Sequence, residues 1–297
     1  MAEAAGAEFR RQPDATVGMD RRDAVHASVP NVARLYDYLL GGKDNYAADR
    51  QAAEELLDAL PDAAIAARQN REFLRRAVQF LARDCGIRQF VDIGTGLPSQ
   101  GNVHEIAQEF APDARVLYVD HDPVVVAHAQ ALLANNVTTV AIGGDIRYPG
   151  QILEHPDLQA FINLEQPVAI LLVAILHFVR DSENPYVIVE QLKAAMAPGS
   201  YLVISHVTAE DIPAESAEQA RALYEHATAP GVARSHADVT RFFAGLEVIP
   251  PGIVNVSAWR PTLSTRKPAR TLFYGGVGRK RARYISTSWT SGREARA

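Results

Sequence analysis

Hydrophobic positions fall into two regimes along the chain. From Asn31 to Leu40 the apolar residues Val32, Leu35, Tyr36, Leu39 and Leu40 recur at helical spacing, and the pair Gly41-Gly42 supplies a C-terminal stop. A second helical stretch covers about Ala47 to Ala59. Pro61 can open a third, in which Phe73, Ala77, Phe80 and Leu81 form an apolar stripe, and Gly86 closes the region. From Arg88 the pattern changes to short β-branched runs separated by helical segments. The candidate strands are Gln89 to Ile93, Arg115 to Val119, Thr138 to Ile142, Val168 to Leu176 and Tyr201 to His206. Such alternation predicts parallel strands joined by crossover helices. Two further runs, Glu247 to Val256 and Arg270 to Val277, have only a loop between them and predict an antiparallel pair completing the sheet. The expected fold is therefore α/β, with a mostly parallel seven-stranded sheet covered on both faces by helices, and a helical extension ahead of it.

Length and composition fit that picture. The chain has 297 residues, 47% hydrophobic and 22% charged, enough apolar material for a sizeable core. The expected divisions are a disordered segment over 1–28, a helical extension and lid over 29–86, the sheet domain over 87–279 and a basic, disordered tail over 280–297. The longest mainly apolar run, Val168 to Phe178, is too short for a membrane helix, which needs roughly 20 residues. The N-terminus carries charges where a secretory signal would be apolar, so a cytoplasmic location is expected. Cys85 is the single cysteine, and the nine histidines show no paired zinc spacing, so no metal is expected. The net charge of −5 is uneven: nine of the 30 Lys and Arg residues, against one acid, lie from Arg266 onward. No nucleic-acid module accompanies that tail, which reads as a solvated basic segment. Neither a nucleic-acid nor a membrane partner is expected; the oligomeric state is open.

The chemistry gathers at the ends of the predicted strands. Val91-Asp92-Ile93-Gly94-Thr95-Gly96-Leu97-Pro98-Ser99 is a strand running into a glycine turn, where the backbone can approach a ligand closely. A dinucleotide fingerprint would place a third glycine where Ser99 stands. Asp92, two residues before the first glycine, would repel a pyrophosphate and attract the ammonium of a methionine moiety; it could equally accept bonds from the turn's amides. Asp120 closes the second strand 24 residues after Gly96, where an acid can accept both hydroxyls of an adenosine ribose. Asp122, followed by Pro123, has the pattern of a helix N-cap. His121 could shield the adenine face or be solvated. After the third strand, Gly143-Gly144-Asp145-Ile146 offers an acid for the adenine amine and an apolar contact for its ring. His177, at the end of the fourth, could orient or deprotonate an acceptor, or simply pack.

These motifs, together with the run Val32-Ala33-Arg34-Leu35-Tyr36-Asp37-Tyr38-Leu39-Leu40-Gly41-Gly42-Lys43-Asp44-Asn45-Tyr46-Ala47, resemble a bacterial family of S-adenosylmethionine-dependent methyltransferases first catalogued as a domain of unknown function. Arg68-Gln69-Asn70-Arg71-Glu72-Phe73-Leu74, Gly144-Asp145-Ile146-Arg147, Leu176-His177-Phe178 and Tyr274-Gly275-Gly276-Val277-Gly278-Arg279 match as well, so the likeness runs from about Pro30 to Lys280. The resemblance implies a Rossmann-like class I methyltransferase fold. It implies cofactor-binding roles for Asp92, Gly94, Gly96, Asp120 and Asp145, to which the residues' own placement adds Thr95, His121 and Ile146. S-adenosylmethionine is then the cofactor, S-adenosylhomocysteine the product and a small molecule the acceptor.

The run Arg34 to Tyr46 is more polar and aromatic than a core helix requires. It is expected to fold over the sheet's crevice as a lid hinged at the glycine pair, with Tyr36, Asn45, Tyr46 or Arg71 lining the closed pocket; a polar surface turn is the plainer alternative. Two other functions remain open at this point: a nicotinamide-dependent oxidoreductase, which Asp92 and Ser99 disfavour, and a regulator that binds S-adenosylmethionine without transferring its methyl.

Overall fold

The computed structural model describes residues 28–98, 101–133, 136–261 and 272–282. Three helices come first: α1 (Val32–Leu40), α2 (Ala47–Ala59) and α3 (Ala63–Gln79), the last running into a π-helical turn at Phe80–Asp84. Strands and helices then alternate as β1 (Gln89–Ile93), α4 (Val103–Phe110), β2 (Arg115–Asp120), α5 (Pro123–Leu133), β3 (Thr139–Gly143), α6 (Pro149–Leu153), α7 (Pro156–Phe161), β4 (Ala169–Val173), α8 (Pro185–Ala195) and β5 (Tyr201–Val207). Helices α9 (Ala214–Glu225) and α10 (His236–Arg241) precede β6 (Glu247–Val248), β7 (Val254–Asn255) and β8 (Phe273–Arg279).

The sheet order is β3-β2-β1-β4-β5-β8-β6, with β7 also pairing with β8. Strands β1 to β5 are parallel and β8 is antiparallel to β5, β6 and β7. The order reverses between β1 and β4, where open α/β sheets form a ligand crevice at their carboxyl ends. β1 is buried along its whole length, as a strand covered on both faces must be. Its residues alternate between two cores. Phe90 packs with Phe73, Leu74 and Ala77 of α3 on one face, while Val91 and Ile93 join Leu172 and Ile188 on the other. Period-2 alternation puts Asp92, and Asp120 in β2, on the face that α3 covers. Helices α1 and α2 build a smaller apolar cluster of their own, in which Leu35, Leu39, Ala53 and Leu56 are buried against Leu223 and Tyr224 of α9.

Three sequence expectations change. The run Glu247 to Val256 is two short strands, β6 and β7, because Pro250 and Pro251 lie between them and proline gives no N–H to a ladder. The sheet thus has eight strands where seven were expected. The fourth strand stops at Val173: Ala174 takes a left-handed φ of 58°, and Leu176–Phe178 form a 3-10 turn. The basic segment begins in an ordered contact, since the Lys280 ammonium donates to the carbonyls of Lys193 (2.7 Å) and Met196 (2.6 Å) at the end of α8. The expectations of disorder before residue 28 and after residue 282 fall outside the described residues. Among the described residues no helix is long and apolar enough to cross a membrane.

The α1–α2 junction is organised by Asp49, which is fully buried. Its carboxylate accepts the Arg34 Nε–H at 2.6 Å and the backbone amides of Asn31 (2.8 Å) and Tyr46 (2.7 Å). Asp49→Ala should leave a buried guanidinium uncompensated, a loss of about 3–5 kcal/mol for breaking a buried pair. Hydrogen exchange should then show lost amide protection across residues 31–59 with β1 to β5 still protected; uniform protection in the variant would refute the role.

Candidate active site

A cavity of about 610 Å³ opens where the carboxyl ends of β1, β2, β4 and β5 meet α1, α3 and α9. Its floor is the glycine turn after β1. Gly94 has φ +77° and its N–H donates to the Val119 carbonyl at 2.8 Å; a Cβ there would lie 2.4 Å from the Ile175 side chain. Gly96 has φ +66° and open space beside it, so the backbone angle alone calls for glycine. Its N–H donates to Asp120 Oδ2 at 2.9 Å, and the Thr95 hydroxyl donates to the Asp92 carbonyl at 3.1 Å. Ser99 lies outside the described residues.

Asp120, not Asp92, is the acid that holds the turn. Its second oxygen accepts the Asp122 amide at 3.0 Å. Asp122 then caps α5 through the Val124 amide (2.8 Å) and accepts the Asn31 side-chain amide at 2.7 Å, which ties the start of α1 to the sheet edge. Two backbone bonds leave about half the carboxylate's acceptor sites unused. Asp92 is buried in the cavity wall, and burial pushes its carboxyl up to about 7. The positive charge of Arg71 opposes that shift and the Asp120 carboxylate adds to it. Arg71 lines the same cavity and donates to the Gly101 carbonyl at 3.1 Å. The half-exposed His121 ring lies 3.5 Å from Asp120 Oδ1, a contact that raises its pKa.

The structure brings Asp92, Gly94, Thr95, Gly96, Asp120, His121, Tyr36, Arg71 and His177 to this one cavity. It does not bring Asp145, Ile146, Asn45 or Tyr46 to the lining. Asp145 is engaged by its neighbour, the Arg147 Nε–H donating to both carboxylate oxygens at 2.9 Å and the Arg147 amide to one of them. Ile146 is buried in the core on the sheet face opposite Asp92 and Asp120, with Ile142 and Ile152. Asn45 donates to Asp37 (2.9 Å) and to the Gly42 carbonyl (3.1 Å), while the exposed Tyr46 ring sits under the Arg34 guanidinium. The glycine pair is pinned: Gly41 is the left-handed cap of α1, and a Cβ on Gly42 would collide with the Asp37 carboxylate. Tyr36, by contrast, faces inward, its hydroxyl donating to the Ala67 carbonyl (3.1 Å) and accepting from Asn70 (3.0 Å).

His177 sits in the 3-10 turn after β4, buried, with Nδ1 lacking a hydrogen-bond partner among the described residues. Burial, reinforced by His206 and the Arg234 charge, holds it well below the usual histidine range, so it is neutral at pH 7. Sequence reasoning missed Arg234, a lone arginine in an irregular segment with no motif around it. Its buried guanidinium donates to the carbonyls of Leu176 (3.0 Å) and Val179 (2.9 Å), which bracket His177, and to Asp181 (2.6 Å). It also donates to His206 Nε2 at 2.8 Å, while His206 Nδ1–H donates to the Val207 carbonyl. An arginine can only donate and a carbonyl only accept, so the tautomer of His206 is fixed. The part that the helix after β5, α9, plays in covering the cavity with Ala217, Ala220 and Tyr224 was missed too.

A family model described as S-adenosyl methyltransferase matches residues 19–281. The chain belongs to that family. Among solved structures it is 41% identical to a DUF574 family protein of Streptomyces avermitilis, covering 86% of this chain and 98% of that one with a TM-score of 0.82. It is 40% identical to a candidate methyltransferase of Thermobifida fusca, covering 86% and 96% with a TM-score of 0.80. No curated protein matches it. This member of the S-adenosyl methyltransferase family is an S-adenosylmethionine-dependent methyltransferase of Rossmann-like fold, which sets the nicotinamide alternative aside. Among the described residues no cluster of three or more His, Cys, Asp or Glu could hold a metal ion.

The His206 arrangement predicts a measurable pH response. Burial lowers its pKa to about 4, against about 6.5 in an unfolded chain. The unfolded state therefore binds more protons between those values, and His206 contributes on the order of 3 kcal/mol that is present above pH 6.5 and lost as pH falls toward 4. Ring nitrogen NMR should show the Nδ1–H tautomer with a midpoint near 4; a midpoint above 6 would remove the Arg234–His206 bond from the account.

Proposed function

We propose that the sheet-edge end of the cavity holds the methyl donor through Asp92, Gly94, Thr95, Gly96, Asp120 and His121, with Arg71 beside them, and that a small-molecule acceptor enters from the α9 side. The observation that carries this reading is that Asp92 and Arg71 line one cavity beside the glycine turn, near enough for the Arg71 charge to act on the Asp92 carboxyl. An amino-acid end bears an ammonium and a carboxylate, and these two side chains offer the opposite charge to each. Asp120, with acceptor sites to spare, faces the ribose hydroxyls, and His121 covers the base. Asp145 is left out because Arg147 occupies its carboxylate.

S-adenosylmethionine supplies a methyl on a sulfonium: a lone pair of the acceptor bonds to the carbon, the carbon–sulfur bond breaks, its electrons stay on sulfur, S-adenosylhomocysteine remains, and a proton carried by the methylated atom is released to water. The protein's share is placement, which can carry most of the acceleration when two reactants are held in line. His177, neutral and held by its turn, is assigned to orient the acceptor's polar group at the boundary between the two ends of the cavity.

Asp120→Ala should weaken S-adenosylhomocysteine binding by about 1.5–3 kcal/mol, the range for hydrogen bonds to a charged group. Because Asp120 also holds the Gly96 amide, Asp120→Asn, which keeps one acceptor oxygen, should lose less. Calorimetry that ranks the two variants alike would misplace the ribose. Affinity should also follow pH. Asp92 ionises through about 7, while an α-ammonium loses its proton near 8. S-adenosylmethionine should therefore bind most tightly between about pH 7 and 8, and an affinity flat from pH 6 to 8 would exclude Asp92 from the ammonium.

A further inference from the structure

Past the residues assigned to the donor, the cavity continues between α1, α2, α3 and α9. Its wall there is formed by Leu39, Leu56, Leu60, Ala63, Ala217 and Ala220. Charged side chains border it only where they are already matched. Three charged residues of α9 also line it, and they are matched among themselves, Arg221 pairing with Glu218 (2.7 Å) and Glu225 (3.1 Å). The Asp37 carboxylate is turned to the Asp44 amide (3.0 Å) and the Asn45 side chain.

Three further polar groups of this wall are uncharged at neutral pH. They are Tyr36, whose pKa burial raises, His177, and Asn70, which is 1% exposed. The hydrogen bonds of Asn70 fix its orientation. Its amide nitrogen donates to the Tyr36 hydroxyl, which in turn donates to the Ala67 carbonyl, so Oδ1 is the end left over. That Oδ1 and His177 Nδ1 are both buried without a partner among the described residues. Such atoms are costly unless something satisfies them, and a hydrogen-bond donor on a bound molecule would. A carboxylate or phosphate directed at the Asn70 oxygen would lose its water and meet an acceptor and an apolar wall; an ammonium there would exchange its water for one neutral acceptor.

Resting on the donor assignment above, we propose that the methyl acceptor is an uncharged, largely apolar small molecule carrying an O–H or N–H group, seated between α9 and the N-terminal helices with that group directed at Asn70 and His177.

The test uses the full chain saturated with S-adenosylhomocysteine and three probes of one ring system: 2-naphthol, 2-naphthoate and N,N,N-trimethyl-2-naphthylammonium. Calorimetry should find 2-naphthol bound at least tenfold more tightly than either ion. Ala217→Phe, which fills the apolar end from α9, should weaken 2-naphthol at least tenfold, and a parallel S-adenosylhomocysteine titration reports whether that variant is folded. Should the variant fail to take up S-adenosylhomocysteine, the three-probe comparison in the unmodified chain decides alone. Equal or tighter binding of either ion, or no uptake of 2-naphthol by the loaded protein, overturns the proposed acceptor class. Failure of S-adenosylhomocysteine itself to bind is a separate result that overturns the donor assignment and the proposal with it.

Discussion

The Asp120 carboxylate is the point through which the catalytic end of the molecule is assembled. One oxygen takes the Gly96 amide and so sets the turn after β1; the other takes the Asp122 amide and so sets the start of α5. Asp122 passes the connection to Asn31, the residue that caps α1. A single acid at a strand end thus aligns the neighbouring loop, the following helix and the N-terminal helices. The site's geometry follows from parallel pairing of β1 with β2, which brings Asp92 and Asp120 to one edge and one face.

Charge divides the cavity. At the sheet edge a buried carboxyl and a guanidinium act on each other across the glycine turn, with desolvation setting how far the carboxyl departs from its ordinary range. Beyond it, burial keeps Tyr36 and His177 neutral. Arg234 contributes to this in two ways: it shapes the turn under His177 through backbone carbonyls, and its permanent charge disfavours a proton on either histidine. A buried arginine is an expensive residue to place, and its four partners, the Asp181 side chain among them, account for its being tolerated here.

The fold was largely legible because its signals are local. Five parallel strands announce themselves as β-branched runs between helical segments, and the ends of β1, β2 and β3 carry their acids in plain view. What local pattern cannot express is direction and partnership. Asp145 and Ile146 sit at the right strand end, yet an arginine two residues on takes the one and the opposite core takes the other. The fourth strand's apolar run continues past Val173, and only the backbone angle at Ala174 ends it. Arg234 reaches the turn under His177, and α9 the cavity, through tertiary contacts that nothing in their own sequence marks.

The Tyr-Asp-Tyr-Leu-Leu-Gly-Gly-Lys-Asp-Asn-Tyr run, more polar and aromatic than a core helix requires, has an architectural explanation. Asp37 fills the space that a side chain on Gly42 would need, Asn45 closes the same loop, and the Tyr46 amide anchors to Asp49. Of the run's aromatic residues, Tyr36 faces the cavity. Turn-building residues serve the scaffold, whatever molecule the scaffold serves. Proteins sharing this scaffold can therefore diverge in what they methylate, and sorting them by chemistry means comparing the inner faces of α1, α3 and α9.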